Sequence, residues 1–162
     1  MSKFYNHRLI AVVASVLTLS GCATQQSPVS VAQTIAATPQ LSTLYSLVAK
    51  TGLTDTLKTG GPFTVFAPTN EAFTKVSPKI MEELAKNPER LKAVLTYHVL
   101  VGKVVSADVK NSNVKSVNGA SLALSKAGEF VTVEDALVQT PDIAAVNGVV
   151  HIVDSVLIPP TK

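Results

Sequence analysis

The chain has 162 residues, 46% of them hydrophobic and only 15% charged, which excludes a disordered polypeptide and suffices for one domain with its own core. Aromatic residues make up 5% and there is no Trp, which argues against stacking platforms for nucleic acid or sugar. Removing residues 1–21 takes away Lys3 and Arg8 and no acid, lowering the formal charge from +3 to +1 and leaving no basic cluster fit for a phosphate backbone.

The N-terminus has the pattern of a secretory signal. Lys3 and Arg8 form a positive n-region, and Leu9–Leu19 is an apolar h-region too short to span a bilayer comfortably. The run ends in Leu19-Ser20-Gly21-Cys22, which resembles a bacterial lipobox. The resemblance implies cleavage before Cys22, acylation of that residue and, because Ala23 rather than Asp follows, sorting to the outer membrane. Cys22 is the single cysteine, so no intrachain disulfide is possible and lipidation gives the thiol a role. The expected layout is a signal over 1–21, a lipidated Cys and tether over 22–29, and one domain over 30–160. A tether this short, about 25–30 Å when extended, keeps the domain close to the membrane.

Leu41, Leu44, Tyr45, Leu47 and Val48 repeat at helical spacing, with Gly52 as a stop and a second helical stretch through Leu53 and Leu57. After Gly60-Gly61-Pro62, Phe63–Phe66 reads as a strand. Pro68-Thr69-Asn70 turns the chain, with Thr69 or Asn70 capping a short helix that carries Glu71 and Phe73. Ser77-Pro78 and Asn87-Pro88 each predict an N-cap followed by Pro at the first helical position. On the first of these helices, Lys79–Glu83 and Glu82–Lys86 have ion-pair spacing. Leu91, Val94, Leu95 and His98 share a face on the second.

From Val99 the pattern becomes β. Strands are expected over Val99–Val105, interrupted by Gly102, and over Val114–Val117, Ser121–Leu124, Phe130–Val133, Ala136–Val138, Val149–Val153 and Ser155–Ile158. Asn118-Gly119 predicts a type I′ hairpin. The last two stretches are nearly continuously apolar, as for strands buried on both faces.

No catalytic pattern emerges. There is no HExxH spacing, no Gly-x-Ser-x-Gly elbow, no Walker loop and no GxGxxG. Outside the signal the histidines are His98 and His151, and the reading for both is a hydrogen-bonded core or rim group, with no metal site.

Thr64–Phe73 (TVFAPTNEAF), Asn147–Pro159 (NGVVHIVDSVLIP) and Tyr97-His98-Val99-Leu100 together resemble, in order and spacing, the signature regions of the fasciclin (FAS1) domain. The resemblance covers about residues 30–159 and implies an α/β (α+β) single domain, a wedge of two β-sheets packed against a helical layer. It implies a non-enzymatic module without cofactor. It makes Thr64, Phe66, Ala67, Pro68, Thr69 and Asn70 structural, links Tyr97 and His98 to fold integrity and adhesion, and places Asp142-Ile143 where animal members carry a partner-binding motif. The other reading of Asp142 is a helix cap beside an exposed turn at Pro141. The resulting expectation is a lipid-anchored cell-envelope module for cell adhesion or protein–protein binding. Its partner would be an unidentified protein or cell-surface partner, with no nucleic acid and no metal. The alternatives are an envelope small-ligand-binding or stress-related protein with an apolar pocket between helices and sheet, and a hydrolase using His98 or His151.

Overall fold

The computed structural model describes residues 29–160, so the signal, Cys22 and most of the tether lie outside the described residues. In chain order the elements are α1 (Val31–Ala37), a 3-10 turn (Pro39–Leu41), α2 (Ser42–Lys50), α3 (Leu53–Thr59), β1 (Phe63–Pro68), α4 (Asn70–Lys75), α5 (Pro78–Lys86) and α6 (Pro88–Tyr97). There follow β2 (Val99–Val101), β3 (Ser112–Lys115), β4 (Ser121–Ala127), β5 (Phe130–Val133), β6 (Ala136–Ala145) and β7 (Gly148–Val153).

The strands run in the order β2-β1-β7-β6-β5-β4-β3. β1 and β7 are parallel, and every other neighbouring pair is antiparallel. A bridge between Leu100 and Ser116, and the bond from Val117 N–H to the Val99 carbonyl at 2.8 Å, bring β2 to the end of β3 and nearly close the sheet. β6 has two register shifts between Val138 and Ile143 and belongs to both halves of the sheet. The expected wedge is thus two sheets that share one bent strand.

Alternation along β1 and β7 sorts their side chains into two cores. Val65, Ala67, Val150 and Ile152 face the helices and pack with Val31, Ile35, Leu41, Leu44 and Leu95. Phe66 and Val153 face the inside of the sheet with Leu100, Leu122, Leu124, Val131 and Val133. All six residues of β7 are buried, which explains its continuous apolar run.

Several local expectations need correction. α1 is an additional helix; Ser30 and Gln33 form its capping box, the Ser-x-x-Gln spacing that announces a helix start. Pro78 and Pro88 do open α5 and α6, but neither Ser77 nor Asn87 makes a side-chain cap. Asn87 also ends α5, where its N–H is bonded to the Glu83 carbonyl at 3.0 Å. Lys86 pairs with Glu82 at 2.6 Å, whereas Glu83 reaches across to Arg90 of α6 instead of to Lys79.

The strand expected through Val105 stops at Val101, because Gly102 takes φ +108° and Val104 N–H is bonded to the Thr64 hydroxyl at 2.8 Å, off the ladder. At Asn118-Gly119 only Gly119 has positive φ, +87°, and its N–H bonds the Ser116 carbonyl at 2.8 Å. This is a type I turn followed by a left-handed glycine, in place of the expected type I′ turn. Ser155–Ile158 is not a strand; it is an irregular strap that buries Leu157 in the inner core and bonds the Leu157 N–H to His98 Nε2. Pro141 and Asp142 are exposed as expected but form no turn before a helix: Asp142 lies within β6 at its irregularity, with φ +59°, so the helix-cap reading is overturned.

The tightest backbone approach is at Gly148, where a Cβ would sit 2.0 Å from the Phe63 carbonyl oxygen. Gly148→Ala must force β1 and β7 apart and is expected to cost more than about 3 kcal/mol in urea denaturation. Gly119→Ala meets open space and only backbone strain, about 1 kcal/mol. Equal losses at the two positions would contradict this account of the β1–β7 contact.

Candidate functional site

Thr64, Thr69 and Asn70 of the first signature are engaged within the fold, whereas Glu71 is exposed. Thr64 hydroxyl donates to the Gly102 carbonyl at 2.7 Å while accepting from Val104 N–H. Thr69, the N-cap of α4, accepts from Ala72 N–H at 3.2 Å. The Asn70 side chain accepts from Thr43 N–H at 3.0 Å and donates to the Pro39 carbonyl at 3.2 Å, fixing the start of α4 to the start of α2.

His98 caps the C-terminus of α6 and is 2% exposed. Its Nδ1 lies 2.8 Å from the Val94 carbonyl, and its Nε2 accepts from Leu157 N–H at 3.0 Å. One nitrogen must donate and the other accept, which defines a neutral imidazole with its proton on Nδ1. Burial lowers its pKa to about 4, against the opposing pull of the Val94 carbonyl. The backbone carbonyl of His98 also accepts from Phe66 N–H at 2.9 Å. One residue therefore joins α6, β1 and the strap. Its neighbour Tyr97 is buried, with its hydroxyl 3.2 Å from the Ser121 carbonyl and 3.3 Å from the Glu134 carboxylate. Burial, then the Glu134 charge, raises the phenol pKa.

His151 mirrors this arrangement on β7. Its Nδ1 accepts from Asp142 N–H at 3.2 Å, its Nε2 lies 2.8 Å from the Val104 carbonyl, and its ring stacks on Phe66 at 5.5 Å between centroids. This imidazole is neutral with the proton on Nε2, and burial lowers its pKa, with the Val104 carbonyl and the Asp142 charge opposing. The Asp142 carboxylate accepts from Ser106 N–H at 2.7 Å and from the Ser106 hydroxyl. Partial burial raises its pKa, but the two Ser106 bonds bring it below the usual carboxylate value, helped by the charge that His151 gains once it protonates in acid and by that of Lys126. Ile143 beside it is half-buried against the helical core.

Asn147 is a pivotal residue that the sequence reading treated only as part of a motif. Its side chain accepts from Val31 N–H at 2.8 Å and donates to the carbonyls of Leu57 at 2.7 Å and Gly60 at 2.9 Å. Its backbone carbonyl accepts from Phe63 N–H at 3.0 Å. It ties α1, the end of α3 and the start of β1 to the β6–β7 turn. Its place before a glycine was the only local signal.

These contacts remove the hydrolase alternative: both imidazoles are buried and both ring nitrogens are occupied by backbone groups. Among the described residues no three His, Cys, Asp or Glu side chains gather as a metal site. The space between helices and sheet, lined by Ile35, Leu44, Val48, Leu57, Val65 and Leu95, is apolar but only about 40 Å³. A cavity that takes benzene is roughly 150 Å³. Two larger depressions, of about 330 and 570 Å³, lie along the strap at Ile158 and Pro160.

The histidines set an acid limit on stability. Each folded pKa lies below 6.5, so the unfolded chain binds more protons as pH falls. Their contribution is complete above about pH 6.5 and is lost progressively as pH falls; for His98 the loss runs to about pH 4 and amounts to roughly 2–4 kcal/mol. Asp142 and Asp154, whose pKa values are lowered, add further loss below about pH 3.8. Urea midpoints measured against pH will show the first decline. His98→Gln will be less stable at pH 7, by about 2–4 kcal/mol, and will show a shallower decline between pH 6.5 and 4. An unchanged slope would contradict the neutral clamp.

Comparison with known proteins agrees with this geometry. Residues 39–159 match the fasciclin domain family. Protein sll1735 of Synechocystis is 42% identical over 74% of this chain and 90% of its own length. Cell surface glycolipoprotein MPB83 of Mycobacterium bovis is 33% identical over 76% of this chain and 58% of its own length. Among solved structures, a FAS1 domain pair from the insect cell adhesion molecule fasciclin I superposes with a TM-score of 0.72 at 18% identity, over 81% of this chain and 51% of that one. The chain therefore belongs to the fasciclin domain family, a non-catalytic module associated with adhesion and with secreted or cell-surface proteins.

Proposed function

We propose that the chain is an exported, lipid-anchored module of the cell envelope that acts by binding a protein or cell-surface partner, with adhesion as the outcome and no chemistry of its own. The observation that carries this reading is that five polar signature residues are spent on internal bonds. Thr64, Thr69, Asn70, His98 and His151 each hold backbone groups of the fold, so recognition falls to the surface that they support. The glycolipoprotein named among the relatives supports surface display. The lipobox ending at Cys22 supplies the anchor, and Ala23 directs it to the outer membrane.

In this reading Tyr97 and His98 serve adhesion by holding the fold. Asp142 and Ile143 are the proposed partner contact, under a condition set by their surroundings. The Asp142 carboxylate already carries the Ser106 bonds, so a partner donor must share it with Ser106. Weak single contacts gain from many copies on one membrane.

Two measurements test the reading. Cys22→Ser is expected to move the protein from the membrane to the soluble fraction, and retention in the membrane would contradict the anchor. Immobilised full-length protein is expected to capture a saturable partner from envelope or extracellular material. Asp142→Asn, nearly isosteric, would lose capture while keeping its urea midpoint within about 1 kcal/mol. Absence of any saturable partner, with a small molecule co-purifying instead, would favour the ligand-binding alternative.

A further inference from the structure

The described residues begin at Val29, whose carbonyl accepts from Val146 N–H at 3.0 Å. Val146 forms the tight turn between β6 and β7 and is 61% exposed. The Gly60–Pro62 loop lies against the same turn through Asn147. Gly102 N–H in turn bonds the Pro62 carbonyl at 2.8 Å. Val101, in register with Phe63 and through it with Gly148, completes the row and is 69% exposed. One pole of the domain thus presents Val29, Pro62, Val101 and Val146 to solvent, flanked by exposed Lys58 and Lys103. No residue of 29–31, 58–62, 101–103 or 145–148 is acidic. The other end of β6, at the β5–β6 turn, carries exposed Glu134 and Asp135 instead.

This pole is also where the tether enters. Cys22 and Val29 are seven residues apart, about 25 Å at full extension. A compact domain of this size is about 35 Å across. The chain is therefore too short for the domain to roll its opposite pole onto the membrane while the anchor is inserted.

We propose that this pole is a membrane-seating surface: the four apolar side chains dip into the interface of the bilayer that holds the Cys22 lipid, and Lys58 and Lys103 meet its anionic headgroups. The proposal rests on the lipid-anchor reading above. Apolar side chains at the interface and basic ones at the headgroups are the two complementary attractions such a surface offers. The acidic β5–β6 turn is then directed away from the bilayer.

The chain has no Trp, so single tryptophans report depth without background. Full-length lipidated Val146→Trp and Leu137→Trp proteins would be reconstituted in vesicles of phosphatidylethanolamine and phosphatidylglycerol with brominated acyl chains. Leu137 is a partly exposed apolar residue at the opposite end of β6. Flotation with the vesicles reports the anchor, and quenching reports the seating. The expected result is flotation of both proteins, with Val146→Trp emission shifted to the blue and quenched about twofold and Leu137→Trp unquenched. Flotation with no quenching at Val146→Trp, or with equal quenching at both, would overturn the seating surface and leave the anchor standing. Failure to float would overturn the anchor and the seating surface together.

Discussion

The whole domain depends on the parallel contact between β1 and β7. Two segments more than eighty residues apart lie side by side in a register that sets Phe63 against Gly148 and Pro68 against Val153. The approach is possible because Gly148 has no side chain to meet the Phe63 carbonyl. Once the pair forms, alternation sends Val65, Ala67, Val150 and Ile152 to the helices and Phe66 and Val153 into the sheet's interior. Both hydrophobic cores therefore start from one pair of strands. The two signature regions lie together because they are the two halves of this contact.

Around that pair, polar side chains do work that regular secondary structure leaves undone. Helix ends, strand ends and a bulge all expose backbone groups, and buried groups of this kind need partners. Asn147 meets the needs of α1, α3 and β1 at one pole. His98 meets those of α6 and the strap, and His151 those of the β6 bulge and Val104. Each histidine serves only while neutral, because a protonated ring would aim a second N–H at a backbone N–H. The motif histidines are thus explained by architecture. A variant that unfolds the domain would lose the proposed partner binding as surely as one that removes a contact.

The legible parts of the sequence were those where local chemistry and burial agree. The β7 run is apolar because both its faces are covered, and Pro78 and Pro88 mark helix starts whatever surrounds them. What escaped depended on distant partners. The strand expected through Val105 ends early because Thr64, some forty residues earlier, takes the Val104 N–H. The hairpin at Asn118-Gly119 changes type as its flanking residues bridge to β2. Pro141 looked like a turn because nothing local reveals that β7 continues to pair beyond it. The tripartite role of Asn147 was not legible, because its partners come from three remote segments.

The central claim is that His98 and His151 are neutral backbone clamps and take no part in chemistry or charged contacts. Nitrogen-15 NMR of the imidazoles as a function of pH tests it most directly, since chemical shifts distinguish the two tautomers and the cation. The account predicts a His98 protonated on Nδ1 alone and a His151 protonated on Nε2 alone at about pH 6, where an ordinary histidine is largely cationic. A cationic ring at either position at that pH, or the reversed tautomer, would contradict it.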